Sequence, residues 1–162
     1  MEKPGVATAP RIRAYRESDA SAIADLFYRA VHETAASHYD AAARQAWAPA
    51  PRPAEDWHAR LSAMETFVAE DARGLAGFMT LEPDGHIDFA YVRPDVAGRG
   101  VAGALYAHIE ARARARSVER LYAEASHLAL RFFERRGWTL LETQTVERNG
   151  VALTNHRVEK RL

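Results

Sequence analysis

The sequence predicts a single-domain, mixed α/β fold whose sheet is mostly antiparallel and is flanked by helices. Three observations support this prediction. The chain has 162 residues, which is one domain's worth of core. Helical spacing of apolar residues in the first third gives way to alternation over 66–92. Asn149-Gly150, a hairpin turn signal, separates two final strand-like segments. The predicted order is β-α-α-α-β-β-β-α-β-α-β-β.

The first third of the chain reads as one strand and three helices. Pro, Gly and Ala dominate residues 1–10, which we expect to be a flexible leader preceding one domain over 11–162. Apolar alternation predicts a strand over 12–15, and helical spacing predicts a helix over 19–36. Two shorter helices are expected over 40–47 and 53–64, separated by a proline-rich loop.

The remainder of the chain alternates strands, turns and two helices. Turn signals at 71–74 and 83–85 separate three short strand patterns, which predicts an antiparallel meander. A glycine-rich turn then opens a helix that runs to about residue 115. The expected strands are 66–70, 75–81, 86–92, 121–125, 139–148 and 153–160, and the last expected helix is 129–136.

Composition excludes several classes of function. Lys plus Arg and Asp plus Glu both number 22, so the formal net charge is zero and no basic nucleic-acid-binding face is indicated. Cysteine is absent, which excludes disulfides, thiolate metal sites and a cysteine nucleophile, and fits a cytoplasmic location. No apolar run approaches the roughly 20 residues of a membrane span, so no membrane association is expected.

The turn at 98–103 is the segment that best indicates chemistry. Gly98, Gly100 and Gly103 follow a predicted strand and begin a predicted helix, where free N–H groups attract phosphate oxygens. The alternative is that these glycines only allow close packing. Their spacing also matches a dinucleotide fingerprint, but residues 93–97 separate the strand from the turn, and the neighbouring strands are antiparallel.

Two stretches of sequence resemble the GCN5-related N-acetyltransferase family. Tyr91-Val-Arg-Pro-Asp-Val-Ala-Gly-Arg-Gly-Val-Ala-Gly-Ala-Leu105 is similar to the family's acetyl-CoA signature. Ala125-Ser-His-Leu-Ala-Leu-Arg-Phe-Phe-Glu-Arg-Arg-Gly-Trp138 resembles its later Ala-x-x-Phe-Tyr-x-x-x-Gly-Phe segment. The ending, residues 148–160, resembles a bacterial branch of this family. The resemblance covers about 11–162.

The resemblance implies a curved sheet with a parallel, splayed central pair, formed by strands 86–92 and 121–125, and acetyl-CoA bound in the splay. Tyr91 and Val92 would offer backbone hydrogen bonds to pantetheine, and the segment 97–104 would wrap the pyrophosphate. The implied cofactor-binding residues are Tyr91, Val92, Ala97, Gly98, Arg99, Gly100, Val101, Ala102, Gly103, Ala104, Ser126, Phe132 and Phe133.

The expected activity is acetyl-CoA-dependent transfer of an acetyl group directly to a primary amine of a small molecule or protein. Such an amine must first lose its proton, and Asp88 or His86 is the candidate base. Phe133 stands where many relatives have a tyrosine general acid, so another proton donor would have to serve. This departure motivates the alternative of a non-catalytic acyl-CoA-binding regulatory domain; an NAD(P)-binding oxidoreductase is the third alternative.

The acceptor site is expected under the first long helix and the loop that follows it. Tyr28, His32 and Tyr39 are the candidate acceptor-binding residues. His32-Glu33 with His38 superficially resembles a zinc motif, but its spacing does not place the ligands on one helix face, so no metal is expected. A homodimer is the expected assembly, by analogy with the family.

Overall fold

The structure, a computed structural model, describes residues 9–162; of the expected leader, residues 1–8 lie outside the described residues. The described elements agree in number and order with those expected from the sequence. The helices are α1 (Ala20–His32), α2 (Ala41–Trp47), α3 (Ala54–Leu61), α4 (Val101–Ala115) and α5 (His127–Glu134). The strands are β1 (Arg11–Ala14), β2 (Glu65–Asp71), β3 (Gly74–Leu81), β4 (Ala90–Val92), β5 (Arg120–Ala125), β6 (Thr139–Arg148) and β7 (Val151–Arg161).

The strands form two antiparallel sheets that meet at one parallel bridge. The first sheet has the order β1-β2-β3-β4 and the second has the order β5-β7-β6. His86 bridges Tyr122 in parallel, and the Ile87 amide donates to the Tyr122 carbonyl at 2.9 Å. Beyond this bridge β4 pairs with β3 and β5 pairs with β7, so the edges of β4 and β5 separate. The mixed α/β fold with a splayed central pair is therefore confirmed.

The predicted strand 86–92 is shorter in the structure than in the sequence analysis. Only Ala90–Val92 forms a strand, and it pairs with β3. His86, at the start of the predicted strand, bridges Tyr122 of β5 instead. The same change of partner opens a wedge between β4 and β5.

Helix α1 buries the apolar stripe that predicted it, but it ends before residue 36. Ile23, Leu26 and Val31 are all at most 3% exposed. The carbonyl of His32 accepts a hydrogen bond from the Arg44 guanidinium at 2.7 Å, and a short 3₁₀ turn follows at Thr34–Ser37. The Arg44 side chain of α2 therefore satisfies the His32 carbonyl, which in a longer α1 would have accepted a hydrogen bond from the helix backbone.

Alternating side chains place a packed cluster on each face of the first sheet. Phe78 packs with Ile23 and Leu61 beneath α1 and α3, and the next residue, Met79, packs with Leu105 of α4. Helix α1 and helix α4 are thereby held on opposite faces of β3, with the wedge beside them.

The closing hairpin has the turn that its sequence predicts. Asn149 and Gly150 have φ angles of 49° and 76°, which are the left-handed values that a two-residue hairpin turn requires. Asn149 Nδ2 also donates to the Ala46 carbonyl of α2 at 2.8 Å. The turn therefore lies against α2. Among the described helices, none is long and apolar enough to cross a bilayer.

Candidate active site

The open edge of β4 forms one wall of the wedge. The Thr80 amide donates to the Phe89 carbonyl at 3.0 Å, and the Arg93 amide donates to the Ala76 carbonyl at 2.8 Å. Because an antiparallel strand alternates the direction of its polar groups, the backbone groups of Ala90 and Val92 face the wedge. The expectation for Val92 is compatible with this geometry. The expectation for the Tyr91 backbone is not, because the same alternation turns the Tyr91 amide and carbonyl toward Phe78 of β3.

Arg93 fixes the chain where it leaves β4. Its guanidinium contacts Asp71 at 2.7 Å and Asp95 at 2.5 Å and donates to the Leu75 carbonyl at 2.9 Å. Hydrogen bonding to this cation holds the pKa of both carboxyls below their ordinary values. The Asp95 carboxylate in the turn at Pro94–Val96 is therefore paired with Arg93. This pairing fixes the direction in which the backbone enters the glycine-rich segment.

The glycine-rich segment is a cradle of unbonded amides. Gly98 and Gly100 have φ angles of 75° and 88°, and an added Cβ at either position would meet no atom within 4 Å. Gly100 is the N-cap of α4. Among the described residues, five amides of this segment have no hydrogen-bond partner: those of Gly98, Gly100, Val101, Ala102 and Gly103. With the positive end of the α4 dipole, they make a site for an anion.

Three expected members of the cradle use their amides inside the protein. The Ala97 amide donates to Pro94, the Arg99 amide to Val96, and the Ala104 amide to Gly100. Their backbone N–H groups are therefore not available to a pyrophosphate, and within the segment 97–104 the amides that can bind an anion are those of the other five residues.

Gly103 also makes room for a neighbouring cation. A Cβ at this position would lie 2.6 Å from the Arg136 guanidinium. The same guanidinium lies 3.7 Å from the ring centre of Phe132. The packing and anion-binding interpretations of this glycine are therefore compatible, because its missing side chain admits Arg136 while its amide stays unbonded.

The other wall of the wedge is the start of α5. The Ser126 hydroxyl accepts a hydrogen bond from the Ala129 amide at 3.2 Å and can still donate one. Phe133 is 2% exposed and packs 4.3 Å from Trp138, measured between ring centres. The position of the usual tyrosine is thus filled by a ring that supplies packing and has no proton to donate.

The wedge continues into a chamber, and together they enclose about 720 Å³. We use the term acceptor chamber for the part beyond the wedge that is lined by α1, α2, α3 and the β6–β7 hairpin. Residues of this chamber include Phe27, Tyr39, Trp47, Arg52, Trp57, Arg60, Asp88, Glu124, Gln144, Arg148, Asn149, Thr154 and Asn155.

Asp88 lies in the acceptor chamber as an ion-paired carboxylate. Its Oδ2 atom is 2.9 Å from the Arg60 guanidinium, and 23% of its side chain is exposed. Oδ1 has no hydrogen-bond partner among the described residues. Arg60 also lies over the Phe89 ring, 4.8 Å from its centre. Asp88 therefore has one oxygen fixed and one oxygen free to accept a proton or a hydrogen bond.

His86 has neither ring nitrogen free. Nδ1 is hydrogen-bonded to Glu82, and Nε2 is 2.6 Å from Glu124. The bond to Glu124 is the main cause that raises the pKa of His86 to about 9, against the opposing effect of burial. The same bond lowers the pKa of Glu124. His86 therefore holds its proton at neutral pH, and the geometry argues against the expectation that it is a base.

Only one of the three expected acceptor-binding residues lines the chamber. Tyr39 lines it, donates to the Thr154 carbonyl at 2.9 Å, and stacks on His127 at 4.7 Å. Tyr28 and His32 pack against each other at 4.3 Å outside the cavity lining, and His32 Nε2 bonds the Ala48 carbonyl at 2.7 Å. Neither of the two side chains therefore lines this cavity, because α1 turns its apolar stripe toward the chamber.

The chamber residues that sequence reasoning missed come from distant segments. Phe27 belongs to the apolar stripe of α1, which is a signal that could have identified it. Arg52, Arg148 and Asn155 carry no such signal in the local sequence. Arg148 and Asn155 reach the chamber because the bond from Asn149 to Ala46 holds the hairpin against α2. In the described part of the chain, no three histidine or acidic side chains group as metal ligands.

Comparison with known proteins identifies the class of this fold and cavity. The family model described as Acetyltransferase (GNAT) domain matches residues 34–160. The N-acetyltransferase YafP of Escherichia coli K12 is 32% identical over 145 residues, which cover 90% of this chain and 91% of YafP. The chain therefore belongs to the GNAT family and is an N-acetyltransferase by family.

Solved structures agree with this assignment. A GCN5-related N-acetyltransferase from Rhodopseudomonas palustris is 35% identical, has a TM-score of 0.89, and is matched over 99% of this chain and 100% of its own. A phosphinothricin acetyltransferase from Sinorhizobium meliloti, solved in complex with acetyl-CoA, shares the fold at 17% identity with a TM-score of 0.76, over 96% of this chain and 89% of its own. The antiparallel sheets and this family membership exclude the dinucleotide-binding alternative.

Proposed function

We propose that this protein binds acetyl-CoA in the wedge between β4 and β5 and transfers its acetyl group directly to a primary amine in the acceptor chamber. The five unbonded amides between Gly98 and Gly103 are the observation that carries the proposal. They form a site for the pyrophosphate at the start of a 15-residue helix. The family includes proteins with acetyl-CoA or coenzyme A bound, which supports the same cosubstrate here.

The pantetheine arm would extend along the free edge of β4. The backbone groups of Ala90 and Val92 face this space, and Ser126 offers a hydroxyl from the opposite wall. The arm then acts as an additional strand whose hydrogen bonds fix its depth. This path leads from the cradle at Gly100 toward Asp88, which places the thioester at the entrance to the acceptor chamber.

In the proposed reaction, Asp88 accepts the proton that the acceptor ammonium must lose before it can attack. The nitrogen lone pair forms a bond to the thioester carbonyl carbon, and the carbonyl oxygen becomes an oxyanion. A backbone N–H near Val92 would stabilise this oxyanion. The carbon–sulfur bond then breaks and the thiolate takes a proton from water. The amide loses its remaining extra proton to the hydroxide so formed, and Asp88 returns its proton to solvent. The sequence contains no cysteine, so no acetyl-cysteine intermediate forms.

Phe133 is the observation that favours the second candidate, a regulatory domain that binds acyl-CoA without turnover. A turnover experiment separates the two. Acetyl-CoA is mixed with a panel of primary amines, including lysine peptides and free peptide N-termini, and thiol release is measured together with the N-acetyl product by mass spectrometry. We expect thiol release that requires an amine. Tight acetyl-CoA binding without product from any amine would support the regulatory domain instead.

A further inference from the structure

Two arginines of the acceptor chamber have no acidic partner. Among the described residues, five charged side chains line the chamber, and three of them are paired: Arg60 with Asp88, and Glu124 with His86, which lies outside the lining. The two that remain are Arg52 and Arg148. Among the described residues, neither has a carboxylate within 4.0 Å, and the one hydrogen bond of the Arg148 side chain is to the carbonyl of Glu147.

The fold brings these two arginines to the same side of the chamber. Arg52 lies in the loop that leaves the C-terminal end of α2, and Arg148 is the last residue of β6. The bond from Asn149 to Ala46 holds the β6–β7 turn against this end of α2. Prolines 51 and 53 flank Arg52 and restrict its backbone, so less backbone freedom is lost when a ligand binds there.

Trp57 adds apolar surface to the chamber. Trp57 is 3% exposed and lines the cavity, and its indole N–H has no partner among the described residues. That nitrogen has less than 1 Å² of exposed surface, so a ligand in the cavity does not reach it. Among the described residues, the charged groups without an ionic partner that the chamber offers to a ligand are therefore the exposed guanidinium groups of Arg52 and Arg148.

We propose that the acceptor is an amine that also carries an anionic oxygen group, a carboxylate or a phosphate, and that Arg52 and Arg148 bind this group. The inference rests on the proposed acetyl transfer and names its substrate class. Arginine binds such groups through two parallel N–H bonds, which would orient the acceptor with its amine toward Asp88. The aromatic side chains of Phe27 and Trp47 would contact the carbon skeleton between the two charged ends.

Matched pairs of amines test this inference. The anionic members are β-alanine, γ-aminobutyrate, phenylalanine and phosphoethanolamine, and their uncharged partners are ethylamine, propylamine, phenethylamine and ethanolamine. The kcat/KM for acetylation is measured for each compound and normalised to its unprotonated amine. We expect at least one anionic compound to exceed its partner by about tenfold or more. The carboxylate and phosphate members show which anionic group is used.

Variants of the two arginines then assign the effect. R52A and R148A should each reduce kcat/KM for the preferred anionic amine about tenfold and leave its uncharged partner unchanged. R148E should remove the preference for the anionic amine entirely. Arg161, which is exposed on β7 and has no ion pair among the described residues, provides the matched control R161A, expected to behave as wild type. Acetyl-CoA affinity should be the same in all four variants.

Two results would overturn the inference without affecting the proposed function: uncharged amines that react as well as their anionic partners in every pair, or a preference that survives both arginine substitutions. If acetyl-CoA binds but no amine reacts, the proposed function fails instead. Titration of the anionic amines into CoA-loaded protein then decides the inference. Binding that R52A and R148A weaken about tenfold supports it, and absence of binding contradicts it.

Discussion

The cradle and the acceptor chamber are built in opposite ways. The cradle comes from one continuous segment, Gly98–Gly103, and offers backbone amides held by two left-handed glycines. The chamber is assembled from three helices and a hairpin, and it offers side chains. A backbone site keeps its chemistry whatever the neighbouring side chains are. A side-chain site can change its ligand through single substitutions, so the cradle and the chamber should respond to mutation independently.

The largest expected effect is on the chamber side. Asp88→Asn keeps the shape of the side chain and removes its ability to accept a proton, so kcat/KM should fall by about 100-fold or more. Acetyl-CoA affinity, measured by calorimetry, should remain at the wild-type value. An equal loss of affinity would show that the cradle and the chamber are coupled.

Arg60 provides the control for Asp88. Asp88→Asn also leaves this guanidinium without its partner, which could disturb the chamber by itself. The double variant D88N/R60Q removes both charges. If the double variant recovers the wild-type rate, Asp88 acts only by pairing with Arg60 and is not the base.

Gly100→Val tests the cradle. The new side chain would project into the space in front of the unbonded amides, and acetyl-CoA affinity should fall by about 100-fold. Gly74→Val is the matched control, because Gly74 also has a positive φ, of 112°, and also has no atom within 4 Å of an added Cβ. Both variants carry similar backbone strain, so only G100V should lose affinity. Equal affinity in the two variants would contradict the assigned place of the cradle.

His86→Gln should change stability in a pH-dependent way. The folded pKa of about 9 lies above the ordinary value of 6.5, so the ion pairs of His86 stabilise the fold fully below about pH 6.5. This stabilisation is lost as pH rises through about 9. The melting temperature of H86Q should therefore be lower than that of wild type by a few degrees at pH 6, and the gap should narrow toward pH 10. E124Q should reduce the same pH dependence.

Asn149→Gly has the smallest expected effect. Glycine keeps the left-handed turn conformation but removes the bond to Ala46, which costs about 1 kcal/mol of stability. The hairpin should then hold Arg148 less firmly against α2. We expect the acceptor KM to rise by about threefold with no change in acetyl-CoA affinity. A change in acetyl-CoA affinity would show that the hairpin also supports the wedge.

The same contrast explains what the sequence could predict. Gly98, Gly100 and the strand and helix around them are neighbours in the chain, so their arrangement follows from local backbone rules. The surroundings of His86 do not follow from local rules. Its partners Glu82 and Glu124 lie on different elements, and Glu124 reaches the His86 ring because His86 bridges β5. Tyr28 and His32 do not line the chamber. The rotation of α1 about its axis depends on tertiary packing, which no local sequence pattern predicts.

The most direct test of the central claim is a calorimetric titration of the wild-type protein with acetyl-CoA, coenzyme A and NADH in parallel. We expect micromolar binding of acetyl-CoA and coenzyme A and no binding of NADH. Absence of acetyl-CoA binding would contradict the account, because the unbonded amides between Gly98 and Gly103 would then be a packing feature of α4 and not a cofactor site.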